Sequence, residues 1–190
     1  MYKDLLAIEE KRRTCRRYSS KRVEESDLLK ILDAGRLAPS ALNLQPTRLK
    51  IINKDEDLEL VKEFCTFGYD EKIANIASEC SSDKIHNIYY YGAKTVIMVC
   101  YDKDVAWVNP TNNKSSGEID SIIFATYMML EAASIDVASS FISYFDKVKA
   151  KEVFNIPDNL EIVCLLYLGY SDEKEDKPKK VRKELKEIIF

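Results

Sequence analysis

Two hydrophobic periods alternate along this chain, and each switch between them marks an element. Residues 2–11 read as a short helix whose last turn is basic, which suits the negative end of a helix dipole. Glu25–Leu37 carries Leu28, Leu29, Ile31, Leu32 and Leu37 at helical spacing. Pro39 ends that helix, because the residue before a proline is pushed out of the α region. Thr47–Asn53 alternates like a strand, and Asp55–Phe67 is helical, with Leu58, Leu60, Val61 and Phe64. Residues 68–93 are polar with a Tyr89-Tyr90-Tyr91 cluster and read as short helices. Thr95–Cys100 is an apolar run of buried-strand type, and residues 109–117 form a loop.

Glu118–Ser134 is the most informative helix. Ile119, Ile122, Ile123, Phe124, Tyr127, Met128, Leu130 and Ala133 cover more than one face. A helix apolar nearly all round is buried on all sides. A single small domain rarely supplies that much cover, which points to a subunit interface. Val137–Ile142 reads as a strand, Asp146–Phe154 as a helix with Asp146 as its N-cap, and Glu161–Tyr170 as a central strand. A basic tail, 171–190, closes the chain. The elements are mixed, with too few clean βαβ units for a doubly wound sheet, so the fold class is α+β.

Composition narrows the function classes. A chain of 190 residues makes one domain, 1–190, large enough for a real core. A net charge of −3 argues against generic nucleic-acid binding. The longest apolar run, Ile122–Leu130, is too short to span a bilayer. The first residues are too charged for a signal peptide. Five scattered cysteines without a C-x-x-C pair give neither a redox dithiol nor a thiolate metal site. A reducing cytoplasm is the natural compartment.

Side-chain catalytic sets are missing. The lone histidine, His86, stands in no recognisable motif, and there is neither a G-x-G-x-x-G nor a P-loop. An enzyme of this composition leaves the hard chemistry to a bound cofactor. Three stretches stand out. Ala38–Pro46 (APSALNLQP) holds no charge but offers Ser40, Asn43 and Gln45, either a plain connector or fixed dipoles aimed at a ligand. Lys11–Tyr18 (KRRTCRRY) sets arginines around a hydroxyl, either a solvated helix end or a phosphate clamp. Lys180 and Arg182 alternate, so in an extended segment they point the same way; alone they read as a charged tail.

Taken in order, these stretches resemble the nitroreductase family of FMN-dependent oxidoreductases. The resemblance rests on Arg12-Arg13-Thr14-Cys15-Arg16-Arg17-Tyr18, then Ala38–Pro46, then Lys180-Val181-Arg182. "LLYLGY" before the tail and "FDKVKAKEVFNIPDNL" (145–160) also fit. It implies a mixed, largely antiparallel sheet flanked by helices, in an intertwined homodimer with flavin sites at the interface. The 171–190 tail would contribute to both site and dimer. By residue, Arg12, Arg13 and Thr14 match phosphate-side positions, and Arg16 the cation near the flavin pyrimidine. Lys180 and Arg182 match the late basic pair on the phosphate. Pro39, Ser40, Ala41 and Asn43 match positions on the isoalloxazine and ribityl chain, supplied by the partner subunit, with Gln45 in support. Ser143 and Tyr144 match the backbone amides near N5.

The implied activity is ping-pong: NADH or NADPH reduces bound FMN, which then reduces a nitroaromatic, a quinone or a similar acceptor. No side chain is required as acid or base, and no metal. Departures from the family pattern keep other readings open. Asp136 and Ala138 stand at usual glycine positions, Ser143-Tyr144 replaces a glycine-rich stretch, and Thr47 replaces a tryptophan. Lost glycines restrict close approach to a ligand. The alternatives are a flavin-binding member without turnover, and a reductive dehalogenase or flavin-destroying activity with 68–93 as its lid.

Overall fold

The structure, a computed structural model, describes residues 2–65, 91–172 and 180–190. Its elements are α1 (Tyr2–Lys11), α2 (Glu25–Arg36), β1 (Thr47–Ile52), α3 (Asp55–Cys65), β2 (Thr95–Asp102), α4 (Gly117–Ser134), β3 (Ala138–Ile142), α5 (Lys147–Phe154) and β4 (Leu160–Gly169). Short 3₁₀ turns occupy Ala41–Asn43 and Leu185–Glu187. Most of the stretch expected to form short helices, and with it His86, lies outside the described residues.

The four strands form one sheet in the order β1-β2-β4-β3. Every strand pair is antiparallel. Alternate side chains leave the sheet on opposite faces, and both faces are covered. One packs Val96, Met98, Leu165 and Tyr167 under α3 and α5, through Leu58, Val61, Phe64, Ala150 and Phe154. The other packs Ile97, Val99, Leu166 and Leu168 under α2 and α4, through Leu28, Ile31, Ala125 and Met128. This explains why β2 and β4 read as continuous apolar runs. The alternation slips once: Val99 faces Cys164 but Cys100 faces Ile162, so Val163 is an extra residue. Val163 and Cys164 accordingly point to the same core, the signature of a β-bulge.

α2 and α4 meet closely at Gly35, where an added Cβ would lie 2.3 Å from the Phe124 ring. The Asp146 N-cap forms as expected, its carboxylate accepting the Lys149 N–H at 2.9 Å. α4 departs from the sequence reading in an informative way. Ala125, Met128 and Ala132 are fully buried, but Ile119 is 62% and Tyr127 40% exposed within the chain. One side is covered by the sheet and α2, and the other side of the apolar helix is bare.

Candidate functional site

The basic segment leaves α1 and lies against β3. Thr14 forms a parallel bridge with Ser139, and the Cys15 N–H donates to the Ser139 carbonyl at 3.1 Å. The Ser140 hydroxyl donates to the Cys15 carbonyl. It also accepts from the Tyr18 hydroxyl at 3.1 Å, which reaches the Tyr167 carbonyl at 3.2 Å. Ser139 and Ser140 are buried, so these bonds are shielded from water and hold the segment firmly.

Beside this clamp is a cavity of about 220 Å³, lined among others by Lys11, Arg12, Arg13, Asp136 and Ser139. That is below the roughly 300–1,000 Å³ of a site enclosing a whole ligand. The tail returns to the same place. The Lys180 ammonium donates to the Glu9 carbonyl at 2.7 Å. Its pKa is pushed down first by partial loss of water, then by the charges of Arg12, Arg182 and Arg13. Four of the expected cations therefore share one field, in a chain that is acidic overall. Such a cluster suits a dianionic group. Arg16, expected farther along the same site, is exposed in the irregular stretch between the Thr14 and Tyr18 bridges.

Asp136 occupies the glycine position with φ 62, in the left-handed region that glycine enters freely. It also pairs with Lys11 at 2.8 Å. Ser143 and Tyr144 follow β3 directly and are both exposed, Tyr144 by 49%.

The second expected half lies elsewhere. Ala38–Pro46 is a built loop, with Leu42, Asn43 and Gln45 all at positive φ (50, 57 and 51). The Gln45 N–H donates to the Ser40 hydroxyl at 3.0 Å, and the Asn43 N–H to the Ser40 carbonyl at 3.0 Å. Ser40 is half-buried, while Asn43 and Gln45 are exposed. Thr47 pairs with Tyr101, and Tyr101 with Glu161, whereas Ala138 pairs with Gly169 at the far end of β4. The loop thus enters the sheet at the corner diagonal to the Arg12–Ser139 cavity. Helix α4 gives the same answer: Asp120, which anchors the loop, and Ala133, which lines the cavity, are separated by about 20 Å of helix axis. Within one chain the two half-sites stay apart.

The sequence reading missed Asp120, Ser139, Ser140 and the Lys11–Asp136 pair. Only Asp120 carried a signal, as a carboxylate in the first turn of a helix otherwise apolar on most sides. Among the described residues the thiols are buried. Burial pushes Cys65 and Cys100 up to about 11 and Cys164 up to about 12, so these three are poor nucleophiles at neutral pH. No group of metal-ligating side chains gathers among the described residues. No helix there is long and apolar enough to cross a membrane.

Residues 10–170 match the family model described as the nitroreductase family. The chain belongs to the nitroreductase family. A crystal structure of a nitroreductase family protein from Clostridium difficile 630 shares 31% identity, with 97% of this chain and 96% of that one covered at a TM-score of 0.81. A nitroreductase with bound FMN from Bacteroides fragilis superposes with a TM-score of 0.72 over 94% of both chains, at 23% identity. A protein of Archaeoglobus fulgidus provisionally named NADH dehydrogenase/NAD(P)H nitroreductase is 26% identical over 87% of this chain and 84% of its own. The expected family and fold are thereby borne out, and the sheet is wholly antiparallel among the described residues.

Proposed function

We propose that this nitroreductase-family chain is an FMN-dependent oxidoreductase that works as a homodimer, drawing on NADH or NADPH and reducing a nitroaromatic, a quinone or a similar small acceptor. The observation that carries the reading is the diagonal placement of two half-sites. One is a cavity lined by Arg12 and Arg13, with Lys180 and Arg182 in the same cationic field. The other is an uncharged, hydrogen-bonded loop at Ser40–Gln45. A ligand with a dianionic phosphate at one end and a polar ring at the other matches both, provided a second copy supplies the loop. The bare face of α4, and a tail in which Val181 is 89% and Ile189 71% exposed, are apolar surfaces that such a copy would cover.

FMN held there would supply the redox chemistry, hydride acceptance from the nicotinamide donor and reduction of the acceptor in ping-pong order. The chain binds, orients and sets charge. Arg12, Arg13, Lys180 and Arg182 would hold the phosphate, with Thr14 fixed beside them by its bridge to Ser139. Arg16 would supply the guanidinium that stabilises negative charge on the flavin pyrimidine. Ser143 and Tyr144 would present backbone amides, while Pro39, Ser40, Ala41 and Asn43 of the partner line the ring and polyol, with Gln45 in support. No metal enters, and we place the protein in the cytoplasm.

Visible spectra of the purified protein, before and after anaerobic NADH and NADPH, test the reading. A flavin band bleached by either donor supports it. A colourless protein that FMN cannot reconstitute overturns it. Asp136 favours one second reading, a flavin-binding member with little turnover, because a carboxylate at a glycine position adds bulk and negative charge to the phosphate end. That reading predicts a flavin band that neither donor bleaches.

A further inference from the structure

Among the described residues, Asp120 is the only buried carboxylate, 5% exposed. A buried carboxylate is costly unless its oxygens are satisfied. Here each oxygen has a partner, and the partners come from different segments. Oδ2 accepts from the Ser116 hydroxyl at 2.8 Å, just before α4 begins. Oδ1 accepts the Ala41 N–H at 3.1 Å, across to the loop. The first turn of α4 adds the positive end of its dipole. Both partners are donors without charge.

What it holds is a strained segment. Ala41 directly precedes Leu42, and Leu42, Asn43 and Gln45 are all left-handed residues other than glycine. Such conformations persist only where the surroundings impose them. Other hydrogen bonds of the turn are internal, as in Leu44 N–H to the Ala41 carbonyl at 3.1 Å, while at its end the Arg48 guanidinium donates to the Gln45 carbonyl at 3.0 Å. Asp120 grips this turn from outside it. One residue along α4, Ser121 meets the Thr47 hydroxyl at 3.0 Å and fixes the loop's exit into β1. Ala41 thus spends its N–H and its carbonyl inside the protein and acts as a pivot.

We propose that Asp120 is a positioning residue for the flavin site: through the Ala41 N–H it sets the loop conformation that presents Ser40 and Asn43 to the ring and polyol end of the flavin. This rests on the functional reading above. Because the loop serves the ring and polyol, Asp120 acts equally on FMN and on riboflavin, which lacks the phosphate.

The test is titration of the flavin-stripped full chain with FMN and with riboflavin, in wild type, Asp120→Ala, Asp120→Asn and Arg182→Ala. Asp120→Ala weakens both flavins by the same factor, about tenfold or more, as expected for loss of a charge-assisted hydrogen bond. Asp120→Asn keeps an oxygen for the Ala41 N–H and stays within about threefold of wild type. Arg182→Ala weakens FMN alone. If Asp120→Ala does not fold, Asp120→Leu, of the same branched shape, takes its place. The proposal is overturned if Asp120→Ala binds both flavins like wild type, if it weakens FMN but not riboflavin, or if Asn fails to rescue. Wild type that binds neither flavin overturns the functional reading itself, a result distinct from these three.

Discussion

Lys11 and Asp136 form an ion pair at 2.8 Å, and both line the cavity that Arg12 and Arg13 make basic. The pair is exposed, so it adds only about 0–1 kcal/mol to stability. Asp136→Gly relieves a left-handed aspartate but frees the unfolded chain by about 0.4–1 kcal/mol. The terms oppose each other, so stability stays within about 1 kcal/mol in a denaturant titration. Binding moves more clearly. Removing a carboxylate beside a dianion and releasing Lys11 tightens FMN about threefold at low salt, with the gain shrinking as salt rises. Weaker FMN binding in this variant would show that Asp136 shapes the site instead of opposing it.

The four-cation field makes a second expectation. Arg12→Ala or Arg182→Ala removes a guanidinium from the group that depresses Lys180. Each weakens FMN by about 1.5–3 kcal/mol if a charged hydrogen bond is lost. Riboflavin affinity stays unchanged, and the dependence of FMN binding on salt becomes shallower. Equal losses for both ligands would move these arginines away from the phosphate.

These two cases show what the sequence held. The arginines were legible because interleaved cations and a late Lys-x-Arg are chemically specific in order and spacing. Helices and strands were legible because burial on one or two faces leaves a period, and Asp146 kept its role as N-cap because a cap is a local interaction. Long-range placements left no local trace. Nothing in Ser139 and Ser140 announces that they clamp residue 15, because that contact spans more than a hundred positions. Asp136 was visible as a missing glycine and Lys11 as the first of the basic run, but their pairing was not. The apolar character of α4 read as burial on all sides, whereas within one chain the structure leaves the side away from the sheet exposed.

The buried thiols predict an alkaline limit. Cys65, Cys100 and Cys164 are raised above the ordinary value of about 9 by burial, to about 11, 11 and 12. Between those values the folded chain keeps protons that the unfolded chain has lost. Their contribution to stability is intact below pH 9 and declines as pH rises towards 11–12. The decline is up to about 1.4 kcal/mol per pH unit for each thiol. Unfolding midpoints measured from pH 8 to pH 10.5 fall steeply past 9, and replacing Cys164 by Ser or Ala flattens the fall. A thiol-specific reagent at pH 8 leaves these three unmodified until the chain unfolds. Rapid labelling of the native protein would contradict their burial.

The bare side of α4 carries the last expectation. Ile119 is 62% and Ile122 39% exposed, on a helix whose opposite side is packed against Gly35 and the sheet. A charge placed here meets water in a single chain and costs the fold little, under about 0.5 kcal/mol for a surface change. In a dimer closed over this helix it would be buried without a partner, costing several kcal/mol. Ile122→Glu therefore leaves the circular dichroism of the chain near wild type while sedimentation shifts to monomer. Flavin is lost at the same step, because the loop at Ser40–Gln45 and the cations at Arg12 and Arg182 no longer meet across two copies. A monomeric variant that keeps its flavin would mean that one chain holds the whole site, and the diagonal separation of the two half-sites would need another purpose.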